Sequence, residues 1–247
     1  MKVVGLVSGG KDSCYNMMKC TQEGHEIVCL ANLYPSGGLD EVDSFMYQSV
    51  GYQGVQLYGE ALELPLFRAE IRGLPLNQSL EYSLTKNDEV EDLYQLLVKV
   101  LHKFPDIKGV SAGAILSRYQ KNRVENVCLR LGLKPLCKLW NVEQKSLLDE
   151  MIHDGISAIL VKVATLGLDQ QHIGKTLVEV RDRLLALNAK YGVSVCGEGG
   201  EYETFVLDCP LFKRRIVVDD YCVVTSSEDC GPVAYMRLEK FHLEPKS

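Results

Sequence analysis

Lys2-Val3-Val4-Gly5-Leu6-Val7, then Ser8-Gly9-Gly10-Lys11-Asp12-Ser13, then Cys14 to Glu23: this opening stretch decides the fold. Val3 to Val7 is an apolar run of strand length, and Ser8-Gly9-Gly10 breaks it. Lys11 to Glu23 reads as a helix, stopped at Gly24. Glu26 to Leu33 is a second apolar, β-branched run. A strand, a glycine turn, a helix and a second strand make one parallel crossover unit, because a parallel neighbour is reached only by a crossover.

The rhythm continues outward. Ser44 to Leu64 carries a mostly helical pattern interrupted by glycines, and Pro65 to Ile71 reads as a third strand. Pro75 to Lys86 has no period and reads as a loop. Asp88 to Phe104 is the clearest helix, with Val90, Leu93, Leu97, Val100, Leu101 and Phe104 on one face. Asp88 and Glu91 have the spacing of a capping box. Gly109 to Ile115 is a small-residue strand, Ser117 to Leu131 a helix ended by Gly132, and Lys134 to Leu139 a fifth strand. The expected fold class is α/β, a doubly wound parallel sheet, with ligands at the carboxyl ends of its strands.

After Trp140 the pattern becomes α+β. Helices are expected at Val142–His153 and Glu179–Tyr191. Strands are expected at Ile156–Thr165, Thr204–Leu207, Arg215–Asp219, Val223–Thr225 and Val233–Leu238. The expected domains are therefore 1–140, and a second, smaller α+β domain, 141–247. Trp140 would anchor the junction.

Composition bounds the function. The 247 residues hold 27 Lys plus Arg and 33 Asp plus Glu, a formal charge of −6. With 46% hydrophobic and 24% charged residues the chain is globular rather than disordered. The acidic balance argues against direct nucleic-acid binding. No signal peptide is expected from so short an N-terminal apolar run. Ile156 to Leu168 contains Lys162 and is too short for a membrane span, so no membrane partner is expected. The nine cysteines are scattered without C-x-x-C spacing, as expected of a reduced cytoplasmic protein whose thiols pack as small hydrophobes.

The loop Ser8 to Ser13 has the chemistry of a phosphate site. Glycines admit an anion close to the backbone, and a helix N-terminus offers amides and a positive dipole end. Gly5 to Lys11 nearly spells the P-loop, but Asp12 stands where a hydroxyl should hold magnesium. A carboxylate in a phosphate loop repels phosphate unless a cation intervenes, so Asp12 points to Mg²⁺. The alternative is an ordinary strand-to-helix turn. As a whole, SGGKDS resembles the PP-loop of the N-type ATP pyrophosphatases, a HUP or Rossmann-like superfamily that cleaves ATP between its α- and β-phosphates. The resemblance implies that Ser8, Gly9, Gly10, Lys11 and Ser13 hold the β- and γ-phosphates, that Lys11 and Asp12 serve catalysis with Asp12 acting through Mg²⁺, and that adenine lies along Ala31-Asn32-Leu33.

Cys196-Gly197-Glu198-Gly199-Gly200-Glu201-Tyr202-Glu203-Thr204 is the second dense signal. By composition it reads as a solvated acidic hairpin, or as carboxylates converging on a cation. If extended, Glu201 and Glu203 face one way and Tyr202 the other. GEGGEYET followed by FVLDCP resembles the signature of the diphthine–ammonia ligase (diphthamide synthetase) family. SGGKDSCYNMM and GAILSRYQKNRVENVC resemble the same family, and together these motifs span the chain.

That resemblance implies amidation of diphthine on elongation factor 2 through an acyl-adenylate attacked by ammonia, with ammonium as co-substrate. It implies catalysis by Glu198, Glu201 and Glu203. Tyr119, Arg123, Gly199, Gly200, Tyr202 and Thr204 would face the substrate, and Gly113 the nucleotide. The extra C-terminal domains of some members are not expected here. The alternatives are another PP-loop adenylating enzyme, such as a tRNA-modifying ligase or thiolase, and a non-catalytic nucleotide-binding module. Lys213-Arg214-Arg215 reads as a charged strand edge, His153 and His172 as surface or helix-end residues, and Cys196 and Cys209 as packing residues.

Overall fold

The computed structural model describes residues 1–38, 44, 46–228 and 231–246. Five strands form a parallel sheet: β1 (Lys2–Leu6), β2 (Glu26–Pro35), β3 (Leu66–Ile71), β4 (Gly109–Ser111) and β5 (Lys134–Leu136). Their order is β3-β2-β1-β4-β5, so the winding reverses between β1 and β4. Helix α1 (Lys11–Gln22) covers one face. Two short helices, α2 (Tyr52–Val55) and α3 (Tyr58–Leu62), precede β3, and α4 (Glu89–Lys103) and α5 (Arg118–Leu131) cover the opposite face. The doubly wound α/β architecture is the one expected.

The second half holds α6 (Gln144–His153), β6 (Ser157–Val163), α7 (Leu177–Tyr191), β7 (Tyr202–Asp208), β8 (Arg214–Glu228) and β9 (Gly231–Pro245). Their strands form an antiparallel sheet in the order β7-β6-β9-β8. One apolar core runs through both halves: Tyr15, Met17 and Ile115 belong to the same buried cluster as Leu148, Leu160 and Phe205. Trp140, expected as a buried junction anchor, is only half-buried, with Lys121 Nζ 5.0 Å from its ring centroid.

Several expected elements change for local reasons. Arg215–Asp219 and Val223–Thr225 are parts of one strand, β8, whose register slips at Asp219 and Asp220. A bulge inserts unpaired residues and interrupts the alternation that marks a strand. Among the described residues the helical run 44–64 yields α2 and α3, and Phe45 within it lies outside them. Asp88 does cap α4, accepting from Val90 N at 3.0 Å. Glu91 does not complete the box, because Arg130 takes both its oxygens at 2.8 and 2.6 Å. Lys213-Arg214-Arg215 leads into β8, an edge strand of its sheet, where charge opposes edge-to-edge pairing.

Candidate active site

A cavity of about 680 Å³ opens where the winding reverses. Leu6, Val7, Ala112 and Gly113, at the ends of β1 and β4, line its base. Ser8, Lys11, Asp12 and Ser13 line it from the first glycine loop. Cys196 to Gly200 and Tyr202 to Thr204 line it from the second. Two segments nearly the whole chain apart thus face one space.

They are bonded to each other. The Lys11 N–H donates to Thr204 Oγ1 at 3.0 Å. The N-cap of α1 is Gly10, which has no side chain to cap with, so Thr204 supplies a hydroxyl from β7. Lys11 Nζ donates to the Cys196 carbonyl at 2.6 Å and to Asp12 Oδ2 at 3.0 Å. The Val206 N–H donates to Gly9 O at 2.9 Å, and the Tyr58 hydroxyl donates to Gly9 O at 2.8 Å. Gln48 Nε2 ties Thr204 O, at 2.9 Å, to the 44–64 segment.

Two glycines are required by geometry. Gly9 has φ +100°, and a Cβ there would also crowd Val55 and Phe205 at about 3 Å. A Cβ on Gly113 would stand 2.6 Å from the Asp12 carbonyl carbon, so only glycine lets β4 approach the start of α1 this closely. Gly9 and Gly10 shape the loop from beneath and do not line the cavity.

Charge is concentrated around Lys11, which is buried beneath the Tyr202 ring, 5.1 Å from its centroid. Burial opposes the ammonium, but Asp12 together with Tyr202 and Cys196 outweighs it and holds Lys11 above the ordinary lysine range. Burial pushes the Asp12 carboxyl up, with Lys11 opposing. Asp12 Oδ1 is buried without a hydrogen-bond partner among the described residues. An orphaned carboxylate oxygen beside a phosphate loop fits Mg²⁺, which typically takes one or two carboxylates and completes its shell with water and substrate phosphates. Among the described residues no three or more His, Cys, Asp and Glu side chains gather as a metal cage.

The three clustered carboxylates diverge. Glu198 reaches the start of α5, where its Oε2 accepts from Leu116 N at 2.7 Å and Ser117 N at 3.1 Å. Burial, then the Asp12 charge, pushes its pKa up. Glu201 turns back on its own loop: Oε1 accepts from Ser194 N at 2.9 Å and Oε2 from Gly199 N at 2.8 Å. It does not line the cavity, and both its oxygens are held by amides of its own loop. Glu203 lines the cavity and lies 3.5 Å from Lys162 Nζ on the neighbouring strand. Tyr202 is buried, its hydroxyl donating to Val195 O at 2.7 Å.

Two further expected residues turn their side chains away from the cavity. Ala31 and Leu33 line the cavity but Asn32 does not, since alternate strand residues face opposite ways. The Asn32 amide donates to Val7 O at 2.9 Å, and its oxygen accepts from Arg68 at 2.8 Å. Arg123 is fully buried and does not meet the cavity. Its guanidinium stacks on Tyr119, one helical turn earlier, 3.2 Å from the ring centroid, and donates to the Ser79 carbonyl at 3.0 Å and to that of Asn77. Tyr119 itself does line the cavity. Burial pushes the Cys196 thiol up to about 12 and that of Cys209 up to about 11, in keeping with packing roles.

Part of the remaining wall is apolar. Leu33, Met46, Leu93, Leu96 and Val124 form a slot beside Ala31 that suits a flat heterocycle. Gln48 and Tyr58 also hold the site, and neither carries a motif that marks it in sequence.

The chain is similar to known proteins. Residues 1–135 match the diphthamide synthase N-terminal domain model and residues 143–234 the C-terminal domain model. A mouse protein named diphthine–ammonia ligase is 58% identical over 251 aligned residues, covering 100% of this chain and 94% of its own. A Schizosaccharomyces pombe protein of the same name is 56% identical over 239 residues; the match covers 97% of this chain but 39% of that longer one. A predicted tRNA methyltransferase subunit from Methanocaldococcus jannaschii aligns at 14% identity with a TM-score of 0.37, covering 85% of this chain and 98% of that one. With both family models matched in order on a chain whose two motif loops line one cavity, this protein belongs to the diphthamide synthase family.

Proposed function

We propose that this protein is a diphthine–ammonia ligase that amidates the diphthine side chain of elongation factor 2 at the expense of ATP. The observation that carries the reading is the joining of both motif loops around Lys11 in a single cavity. A carboxylate is a poor acyl donor, because its leaving group would be oxide. Transfer to the α-phosphorus of ATP gives an acyl-adenylate and releases pyrophosphate. Ammonia then attacks the acyl carbon, and amide, AMP and a proton leave.

The residues divide this work. The apolar slot beside Ala31 and Leu33 would take adenine. Lys11, with Nζ donating to Asp12 and Cys196, keeps a third N–H for a phosphate oxygen. Preorganised donors of this kind contribute about 3–4 kcal/mol each to stabilising developing charge. Asp12 and the substrate phosphates would hold Mg²⁺, which neutralises charge on the phosphoryl oxygens when bound. Glu198 and Glu203 are cavity carboxylates able to bind ammonium and accept its proton, and burial pushes the Glu198 pKa up, as a base requires. Tyr202 and Tyr119 offer ring surfaces to the trimethylammonium of diphthine. The cytoplasm is the proposed compartment; every described cysteine is free. Among the described residues no helix is long and apolar enough to cross a membrane.

The test is direct. The purified protein, given ATP, Mg²⁺, ammonium and diphthine-form elongation factor 2, should release pyrophosphate and convert the acid to the amide by mass spectrometry. Cells lacking the protein should accumulate diphthine, and an unchanged diphthamide level there would refute the assignment.

A further inference from the structure

The segment between β3 and α4 is built inside out. Its ends are clamped: Leu74 N donates to Asn87 O and Glu89 N to Leu74 O, each at 3.0 Å. Its interior is polar. Asn77 Nδ2 donates to Ser83 O and Thr85 Oγ1, both at 3.2 Å, and Asn77 N donates to Asp88 Oδ2 at 2.8 Å. From beneath, α5 grips its backbone: Arg123 takes the carbonyls of Asn77 and Ser79, Asn122 that of Leu80 at 2.9 Å, and Asn126 that of Tyr82 at 3.3 Å. Only Tyr82 is buried among its large apolar side chains, while Leu74, Leu76, Leu80 and Leu84 are 52–67% exposed.

A compact loop with closed ends is an Ω-loop, normally packed by its own side chains. Here hydrogen bonds and a buried arginine do that holding, and four leucines within residues 74–84 are left facing solvent. Single exposed leucines need no explanation, but four within eleven residues of one hydrogen-bonded loop are a candidate interaction surface. The loop also borders the site. Gln78 is exposed on it and lines the cavity, and Tyr119, which lines the cavity too, lies beneath it. A protein that inserts a side chain into this cavity past Gln78 lies against the loop.

We propose that the 74–84 leucines dock the acceptor protein, gripping an apolar patch of its surface next to the side chain that enters the cavity. This rests on the ligase reading of the site and adds the surface by which the large substrate is recognised. The alternative occupant, a second copy of this chain, becomes an outcome of the test.

The variant Leu76→Ser/Leu80→Ser/Leu84→Ser changes only exposed positions, and Leu129→Ser, at an 80% exposed leucine on α5, is the control. With diphthine-form elongation factor 2 as the probe, the triple variant should raise KM for that protein about tenfold or more, the scale of losing interface anchors. Its kcat and KM for ATP should stay at wild-type values, and Leu129→Ser should change nothing. If the triple variant loses its circular dichroism, the three single variants are measured instead, each expected to raise the same KM. An unchanged KM overturns the docking role. So does a wild-type dimer that becomes monomeric in the variant with KM unmoved. Absence of turnover by the wild-type protein is a separate result: it overturns the ligase reading, and the docking role falls with it.

Discussion

Thr204→Val isolates the joint between the two halves of the site. Valine keeps the shape of threonine and replaces Oγ1, the acceptor of the Lys11 N–H at 3.0 Å, with a methyl group. Thr204 and Lys11 are each 2% exposed, so water does not replace the lost partner. An unsatisfied buried donor costs about 1–3 kcal/mol, and the loss of a helix cap typically about 1 kcal/mol. These describe the same N–H and are not summed. For a chain of this size about 2–4 °C of Tm accompany each kcal/mol, so thermal unfolding should fall by about 2–12 °C. Thr204→Ser keeps the hydroxyl and should recover most of that fall. ATP affinity, read by calorimetry, should drop in the valine variant and not in the serine one, because the start of α1 loses its fixed position. A valine variant equal to wild type in both Tm and ATP affinity would show that the Lys11 N–H is satisfied elsewhere and that β7 does not hold the phosphate loop.

Asp12→Asn should abolish pyrophosphate release and also lower the unfolding midpoint, since the buried Lys11 ammonium loses the charge of its Oδ2 partner; full turnover would remove the metal role given to this residue. Glu201→Gln should lower turnover with ATP affinity largely kept, because the new amide faces one of the two N–H groups its carboxylate now accepts; a pure loss of ATP binding would contradict loop shaping. Burial pushes Glu89 up to about 7 from 4.5, with Ser44 opposing. The folded state then holds the proton more readily than the unfolded one, so stability falls as pH rises between about 4.5 and 7, and urea unfolding of Glu89→Gln should lose this slope and gain about 1–3 kcal/mol at pH 8. An identical pH slope in the variant would place the titration elsewhere.

The parallel half of the fold is legible because its signals are local. A glycine turn after an apolar strand, an amphipathic face on α4 and Gly132 at the end of α5 each fix an element within a few residues. What escapes the sequence is set by distant partners. Asp219 and Asp220 look like a break between strands, yet the ladder with β9 carries β8 through them as a bulge. Glu91 has the spacing of a capping-box residue, but Arg130 lies 39 positions away and outcompetes the N-cap amide. The helical run 44–64 loses to tertiary demands: a Cβ on Gly54 would meet Phe205 at 2.4 Å, so the segment is shaped to fit β7.

The site divides along the same line. Ser8 to Ser13 is readable because strand, turn and helix are contiguous, and their chemistry follows from the amides and charges of one short segment. The acidic loop is not readable in that way, because three glutamates in one hexapeptide do three different things. What separates them is where β7 begins. From Tyr202 onward the chain is committed to pair with β6, which buries Tyr202 and sets Glu203 opposite Lys162. Before it, Gly197 and Gly200, at φ +78° and +81°, fold the chain back so that Glu201 closes on the amides of Ser194 and Gly199. Glu198, at the tip of that fold, is left to cross to the start of α5. The carboxylate most exposed to its own loop is thereby the one spent on structure, and the one reaching furthest is placed beside Asp12. The pattern of glycines, rather than the number of acids, decides where each glutamate goes.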